Sequence, residues 1–209
     1  MRQKHKLLVL VIFVLAMLNV PYACAKKIDI IADADAFVMD SEPTNNYGNS
    51  EHLYVSGIGY IGEAYIHFSF TNIPEDWITA EINIQIFSGP TSPFNVMIYN
   101  ITEEWDEYTL NWNNKPSHGE IIANLLINDI SDDIVVDISN YIMGDGISIC
   151  LTTLHSINFY VYSREGLYPP KLIVDIGIIN GYSIIFIIFS SIGLIFVLYR
   201  RKTLQLRKA

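Results

Sequence analysis

Cysteine is nearly absent: the 209 residues hold two, Cys24 and Cys150. Cys24 falls in a segment that reads as a removable leader, so the mature chain is expected to keep one thiol and no internal disulfide. A domain of this kind rests on its apolar core rather than on the covalent staples of small secreted folds. Histidine is also sparse. His52, His67, His118 and His155 stand apart with no His-x-x-x-His or Cys/His spacing, which leaves zinc without a ligand set. No nucleophile elbow marks a serine hydrolase. Positive charge is scarce in the middle of the chain, where Lys26, Lys27, Lys115, Arg164 and Lys171 are five cations against all 22 acidic residues, a net −17 between Lys26 and Asp175. Such a segment repels nucleic acid and polyanions and attracts cations and basic partners.

The remaining cations lie at the two ends. Arg2, Lys4 and Lys6 precede an apolar run from Leu7 to Val20, and Ala23-Cys24-Ala25 is a small-x-small site. That pattern predicts a signal peptide over 1–25. Ile176 to Tyr199 carries no charge. As a helix rising about 1.5 Å per residue it would cross a hydrocarbon core of roughly 30 Å. Arg200, Arg201, Lys202, Arg207 and Lys208 follow it, and cations just past a span stay on the cytoplasmic side. The expectation is a single-pass protein of the cell membrane, with a domain over 26–175 outside, a helix over 176–199 and a basic tail over 200–209. Asn100-Ile101-Thr102 is a glycosylation acceptor on the outward side.

Within 26–175 apolar residues recur at every second position. Ile66 and Phe68 alternate with Tyr65 and His67, and Ile82, Ile84 and Ile86 with Glu81, Asn83 and Gln85. The rhythm returns at Ile147, Ile149 and Leu151, and at Phe159 and Val161. Period two predicts strands with one buried face. Pieces dense in Gly, Pro, Asn and Ser separate them, so the reading is an antiparallel β-sandwich. At most one helical turn is expected near Thr102–Trp105 and another near Ser139–Met143. Gly57-Ile58-Gly59-Tyr60-Ile61-Gly62 has the spacing of a dinucleotide loop, but a period-two strand follows where a helix would have to begin. It reads as a turn.

Three blocks carry a family likeness. Ala32-Asp33-Ala34-Asp35-Ala36-Phe37-Val38 is followed by Asn45-Asn46-Tyr47-Gly48-Asn49. Trp105-Asp106-Glu107-Tyr108-Thr109-Leu110-Asn111-Trp112-Asn113-Asn114-Lys115-Pro116 forms the longest, and Phe159-Tyr160-Val161-Tyr162-Ser163-Arg164-Glu165 the last. Together they resemble the DNRLRE domain, grouped with carbohydrate-binding module family 96 and related to surface modules of methanogenic archaea that cleave their own cell-wall matrix. The resemblance implies a jelly-roll-like β-sandwich and a non-catalytic role on polysaccharide. Some members bind acidic polysaccharide such as alginate, which a net −17 domain would oppose without a bridging cation.

Sugar recognition needs aromatic faces with directional polar partners, and Trp105, Tyr160, Tyr162 and Arg164 are the candidates. Arg164 reads equally as an internal partner of Glu165, and Trp112 as core. Calcium, which takes clustered oxygen ligands, has Asp33, Asp35 and Asn46 as candidates. The carboxylate pairs Glu103-Glu104 and Asp106-Glu107 do not by themselves define a glycosidase geometry. The expected function is a membrane-anchored, non-catalytic module holding cell-wall or environmental polysaccharide. The alternative is a structural or adhesive cell-envelope protein that binds other proteins.

Overall fold

The computed structural model describes residues 26–69, 73, 77–142, 144–154 and 156–176. The expected signal peptide, membrane helix and basic tail lie outside the described residues. Among the described residues no helix is long and apolar enough to cross a membrane. Lys26–Ile176 forms one compact unit.

That unit is all strand and turn. In chain order the strands are β1 (Lys26–Ile31), β2 (Ala34–Met39), β3 (His52–Ile58), β4 (Tyr60–Ser69), β5 (Trp77–Ile84), β6 (Ile86–Ser88), β7 (Phe94–Ile101), β8 (Ile121–Ile127), β9 (Ile134–Asp137), β10 (Gly146–Thr152), β11 (Asn158–Tyr162) and β12 (Lys171–Ile176). They make a four-stranded sheet, β1-β12-β5-β9, and a larger one, β6-β11-β3-β4-β10-β7-β8, with β2 added on β4. Every pairing is antiparallel. Two antiparallel sheets facing each other across an apolar core make a β-sandwich, as the alternation predicts.

The core follows the period-two rule residue by residue. Ile66, Phe68, Ile82, Ile84, Ile147, Ile149, Leu151, Phe159, Val161, Leu172 and Val174 all pack into the main cluster. Each such side chain contributes roughly 1.5–3 kcal/mol by leaving water. The alternate residues hold the first surprise. Tyr65 is fully buried rather than turned to solvent, and with Ala36, Val38, Leu110 and Cys150 it forms a second, smaller core. Strand β4 is buried on both faces at its centre because a long segment, residues 102–120, folds over it. β4 also changes partners along its length, pairing with β3 over Tyr60–Gly62, with β2 over Gly62–His67 and with β10 over Ala64–Ser69.

Turns fall close to where composition placed them. Gly59, at φ +71°, closes the β3–β4 hairpin, a backbone region that only glycine enters at low cost. The glycine-rich run is therefore a hairpin. The turn expected near Thr102–Trp105 closes slightly later, where the N–H groups of Thr109 and Leu110 donate to the Asp106 carbonyl at 3.2 and 2.9 Å. Tyr141 donates to the Ile138 carbonyl at 2.8 Å to make a single turn there.

Candidate functional site

Arg164 sits in the turn after β11 and faces inward. Its Nε and Nη2 donate to the two Glu107 carboxylate oxygens, each at 2.7 Å, a bidentate pairing that fixes direction as well as charge. Nη2 also donates to the Tyr108 hydroxyl at 3.0 Å, and Nε lies 2.8 Å from Glu165 Oε1. The Arg164 backbone N–H donates to Asp35 Oδ2 at 2.7 Å, and the Asp35 N–H donates to Glu107 Oε1 at 2.9 Å. Three segments far apart in sequence thus meet, the guanidinium holding Glu107 and the Arg164 backbone holding Asp35.

Asp35 is 1% exposed, and its Oδ1 is buried without a partner. Burial pushes its carboxyl up to about 7 against the pull of the Arg164 N–H. Asn46 serves the same junction, donating through Nδ2 to the carbonyls of Glu107 at 2.7 Å and Leu110 at 2.8 Å. Its Oδ1 accepts from the Gly48 N–H at 3.3 Å. A Cβ on Gly48 would come within 2.2 Å of the Glu107 carbonyl oxygen, so only glycine lets these backbones meet. Tyr47 then stacks on Phe37, ring centroids 4.2 Å apart.

The three residues expected to gather round calcium have separate tasks. Asp33 bonds His67 Nδ1 at 2.8 Å, Asp35 accepts from Arg164, and Asn46 caps backbone carbonyls. Carboxylates do converge at Asp35, Glu107 and Glu165, where the Arg164 guanidinium pairs with Glu107 and Glu165 and the Arg164 N–H with Asp35.

A further buried carboxylate, Glu63, lies beside the smaller core. Its Oε2 accepts from Lys115 Nζ at 2.8 Å and the Tyr65 hydroxyl at 2.9 Å, and bonds His118 Nε2 at 3.0 Å. Burial raises this carboxyl, yet the bonds and charges of His118 and Lys115 outweigh it and hold Glu63 below the usual range. Lys115 also stands 4.6 Å from the Trp112 ring centroid.

Tyr160 and Tyr162 project from β11 on the side opposite Phe159 and Val161. Tyr160 is 37% exposed and its ring lies 5.0 Å from Tyr54, its cross-strand partner on β3. Tyr162 is half-buried and packs near His52 at 5.4 Å, Phe87 at 5.3 Å and Tyr168 at 5.2 Å. Phe87 and Tyr168 are about half exposed. The outcome is a continuous aromatic surface across β6, β11 and β3. Sequence reasoning found two of its rings and missed His52 and Tyr54, although they alternate with the core residues Leu53 and Val55 in the same way.

Trp105 stands elsewhere. Its Nε1 donates to the Ser148 hydroxyl at 3.1 Å and its ring meets Tyr65 edge-on at 6.0 Å. It forms one wall of a groove of about 820 Å³, shared with Asn100, Glu103, Glu104, Glu120 and Asp145. The four ligand candidates therefore separate into an aromatic surface (Tyr160, Tyr162), an internal clamp (Arg164) and an acidic groove (Trp105).

The model of carbohydrate-binding module family 96 matches residues 26–176, the whole described unit. The chain belongs to that family. A search of curated proteins returned no match. In this family-96 module the tryptophan block and the Asn-Tyr-Gly block both meet at the Glu107 junction, so their residues serve the loop architecture.

The module also contains a Cys150–His118–Glu63 line, with Sγ 3.8 Å from His118 Nε2. A catalytic triad uses the two ring nitrogens for its two partners, whereas here one nitrogen, Nε2, faces both. Cys150 is fully buried and its thiol is pushed well up by that burial, which keeps it from the reactive thiolate form.

Proposed function

We propose that the chain is a membrane-anchored, non-catalytic carbohydrate-binding module that holds polysaccharide at the outer surface of the cell, with the aromatic surface of β3, β6 and β11 as its binding face. The observation that supports this most is that surface itself. Phe87, Tyr160 and Tyr168 are exposed in a family whose members bind sugar. Apolar sugar faces pack on such rings, while phenol hydroxyls supply directional bonds. The net −17 of the segment favours a neutral glycan over a uronate or sulfate polymer. In this reading Arg164 ties β2 at Asp35 to the Glu107 loop without a metal, so neutral-glycan binding is independent of calcium. Asn100, half-buried in the groove wall, is the site where glycosylation would act.

The test is binding of the full chain in lipid nanodiscs to neutral and acidic polysaccharides. Tyr160→Ala with Tyr162→Ala should abolish retention on a neutral polymer, whereas Trp105→Phe should leave it. Loss with Trp105→Phe alone would move the binding face to the groove.

One observation favours a protein-binding, adhesive role instead. The β3–β4 hairpin tip exposes Ile58, Tyr60 and Ile61, at 49%, 63% and 39%, an apolar point of the kind that marks contact sites. Binding to no glycan, together with loss of cell-surface association on Tyr60→Ser, would decide for that role.

A further inference from the structure

The end of the four-stranded sheet where β12 finishes brings together residues that the sequence holds far apart. Ile176 closes β12 and lies opposite Lys26 on β1 and opposite Trp77 on β5. The β5 register shifts there, since Asp175 faces Thr79 while Ile176 faces Trp77. Ile78 is the extra residue of that bulge and is 63% exposed. Lys26 and Lys27 are exposed beside it, with Lys27 Nζ 3.6 Å from Asp175.

Ile176 is also the first residue of the uncharged run that continues to Tyr199. The last strand leads directly into that uncharged run in sequence. Partners across an antiparallel pair have Cα atoms only about 4.5–5.5 Å apart. Whatever depth Ile176 takes at the hydrocarbon boundary, Trp77 and Lys26 are held within one strand spacing of it. Indole rings favour the headgroup level, and a lysine stem reaches outward from it. Glu75 and Asp76 precede Trp77 in sequence, so the attraction comes from the indole and isoleucine and does not call for anionic lipid.

We propose that this sheet end, with Trp77, Ile78 and Lys26, is seated in the lipid headgroup layer. The proposal rests on the anchored reading above and adds the face that touches lipid. Leu167, 74% exposed, precedes β12 and lies toward its other end, where it should stay in water.

The test uses the full chain in phosphatidylcholine vesicles. Ile78→Cys and Leu167→Cys, each carrying a polarity-sensitive fluorophore, are compared for quenching by shallow nitroxide lipids and by aqueous iodide. Both positions are exposed, so labelling should leave the core intact. Ile78→Cys should lose emission to the lipid quencher and resist iodide, with Leu167→Cys showing the reverse. As a second probe, Trp105→Phe with Trp112→Phe leaves Trp77, half-buried against the main core, as the sole indole, whose emission should be quenched by shallow nitroxide lipids; an absence of such quenching would count against the seat. If the chain floats with vesicles after an alkaline wash yet Ile78→Cys is quenched like Leu167→Cys, the seated end is overturned while anchoring stands. If the chain does not float, anchoring fails and this proposal with it.

Discussion

Asp35 on β2 and Glu63 on β4 are both buried carboxylates on paired strands of the larger sheet, but they sit in opposite electrostatic states. Glu63 directs one oxygen at a lysine, a histidine and a phenol, and the sum of those partners exceeds the cost of burial. Asp35 receives a single backbone N–H from the arginine beside it, because that guanidinium is spent on Glu107 and Glu165, and its other oxygen has no partner. Burial then wins. Proximity to a cation is therefore insufficient to keep a carboxylate charged; the donors must point at it.

The strongest way to break this contrast is to remove the cation. Arg164→Ala keeps the backbone N–H on Asp35 but leaves Glu107 buried without its bidentate partner, and loss of one partner of a buried pair costs about 3–5 kcal/mol. Urea denaturation followed by tryptophan fluorescence should show a fall of that size. A fall within the range of an ordinary surface substitution would mean that the junction is open to water. Calcium should partly restore the variant, since three carboxylates then face an empty centre, and should leave the native chain unchanged. A rise of thermal midpoint with calcium in the native chain would show that Arg164 does not fill the site.

pH gives the next effect. The folded Asp35 carboxyl titrates near 7 against 3.8 when unfolded, so between those values the folded state holds the extra proton. Its contribution is complete below about pH 3.8 and is lost as pH rises through 7. At about 1.4 kcal/mol per unit, the loss is up to roughly 4 kcal/mol. Asp35→Asn, which keeps an oxygen for the Arg164 N–H and puts a donor at the orphaned position, should be more stable than the native chain at pH 8 and about equal at pH 4. Denaturation at both pH values decides it; an unchanged pH slope would show that Asp35 stays ionised.

The strands were legible in the sequence because each buries alternate residues, and a period of two survives any detail of packing. Tyr65 was not. Its neighbours Ile66 and Phe68 assign it to the outer face, and nothing in the local pattern says that residues 102–120 fold back over that face to bury it. The partners of Arg164 were half legible: Glu165 is adjacent, while Glu107 is 57 residues away and meets it only through the fold. Asn46 and Gly48 read as loop residues, but their tasks, capping two carbonyls and allowing a backbone contact, depend on a segment some 60 residues downstream. Tyr160 and Tyr162 were found because alternation within one strand is local information. The rings that complete their surface come from two other strands and, at Tyr168, from the loop before β12.

Glu63→Gln sharpens the comparison with the smallest effect. The amide keeps an oxygen for Tyr65, Lys115 and His118 but loses the charge, which makes each bond an ordinary neutral-acceptor one. The expected cost is about 1–2 kcal/mol, well below that of Arg164→Ala, because Lys115 and His118 remain partly exposed and water can take them back. Its pH signature is opposite to that of Asp35. The Glu63 carboxyl is held low, so its contribution is present above the usual glutamate value near 4.5 and vanishes as pH falls through the lower folded value. In acid the native chain should therefore lose stability that Glu63→Gln does not, and the two denaturation curves should converge as pH drops below about 4. Curves that stay parallel would mean that Lys115 and His118 do not act on Glu63 through charge, and the two buried carboxylates would then differ only in how many atoms surround them.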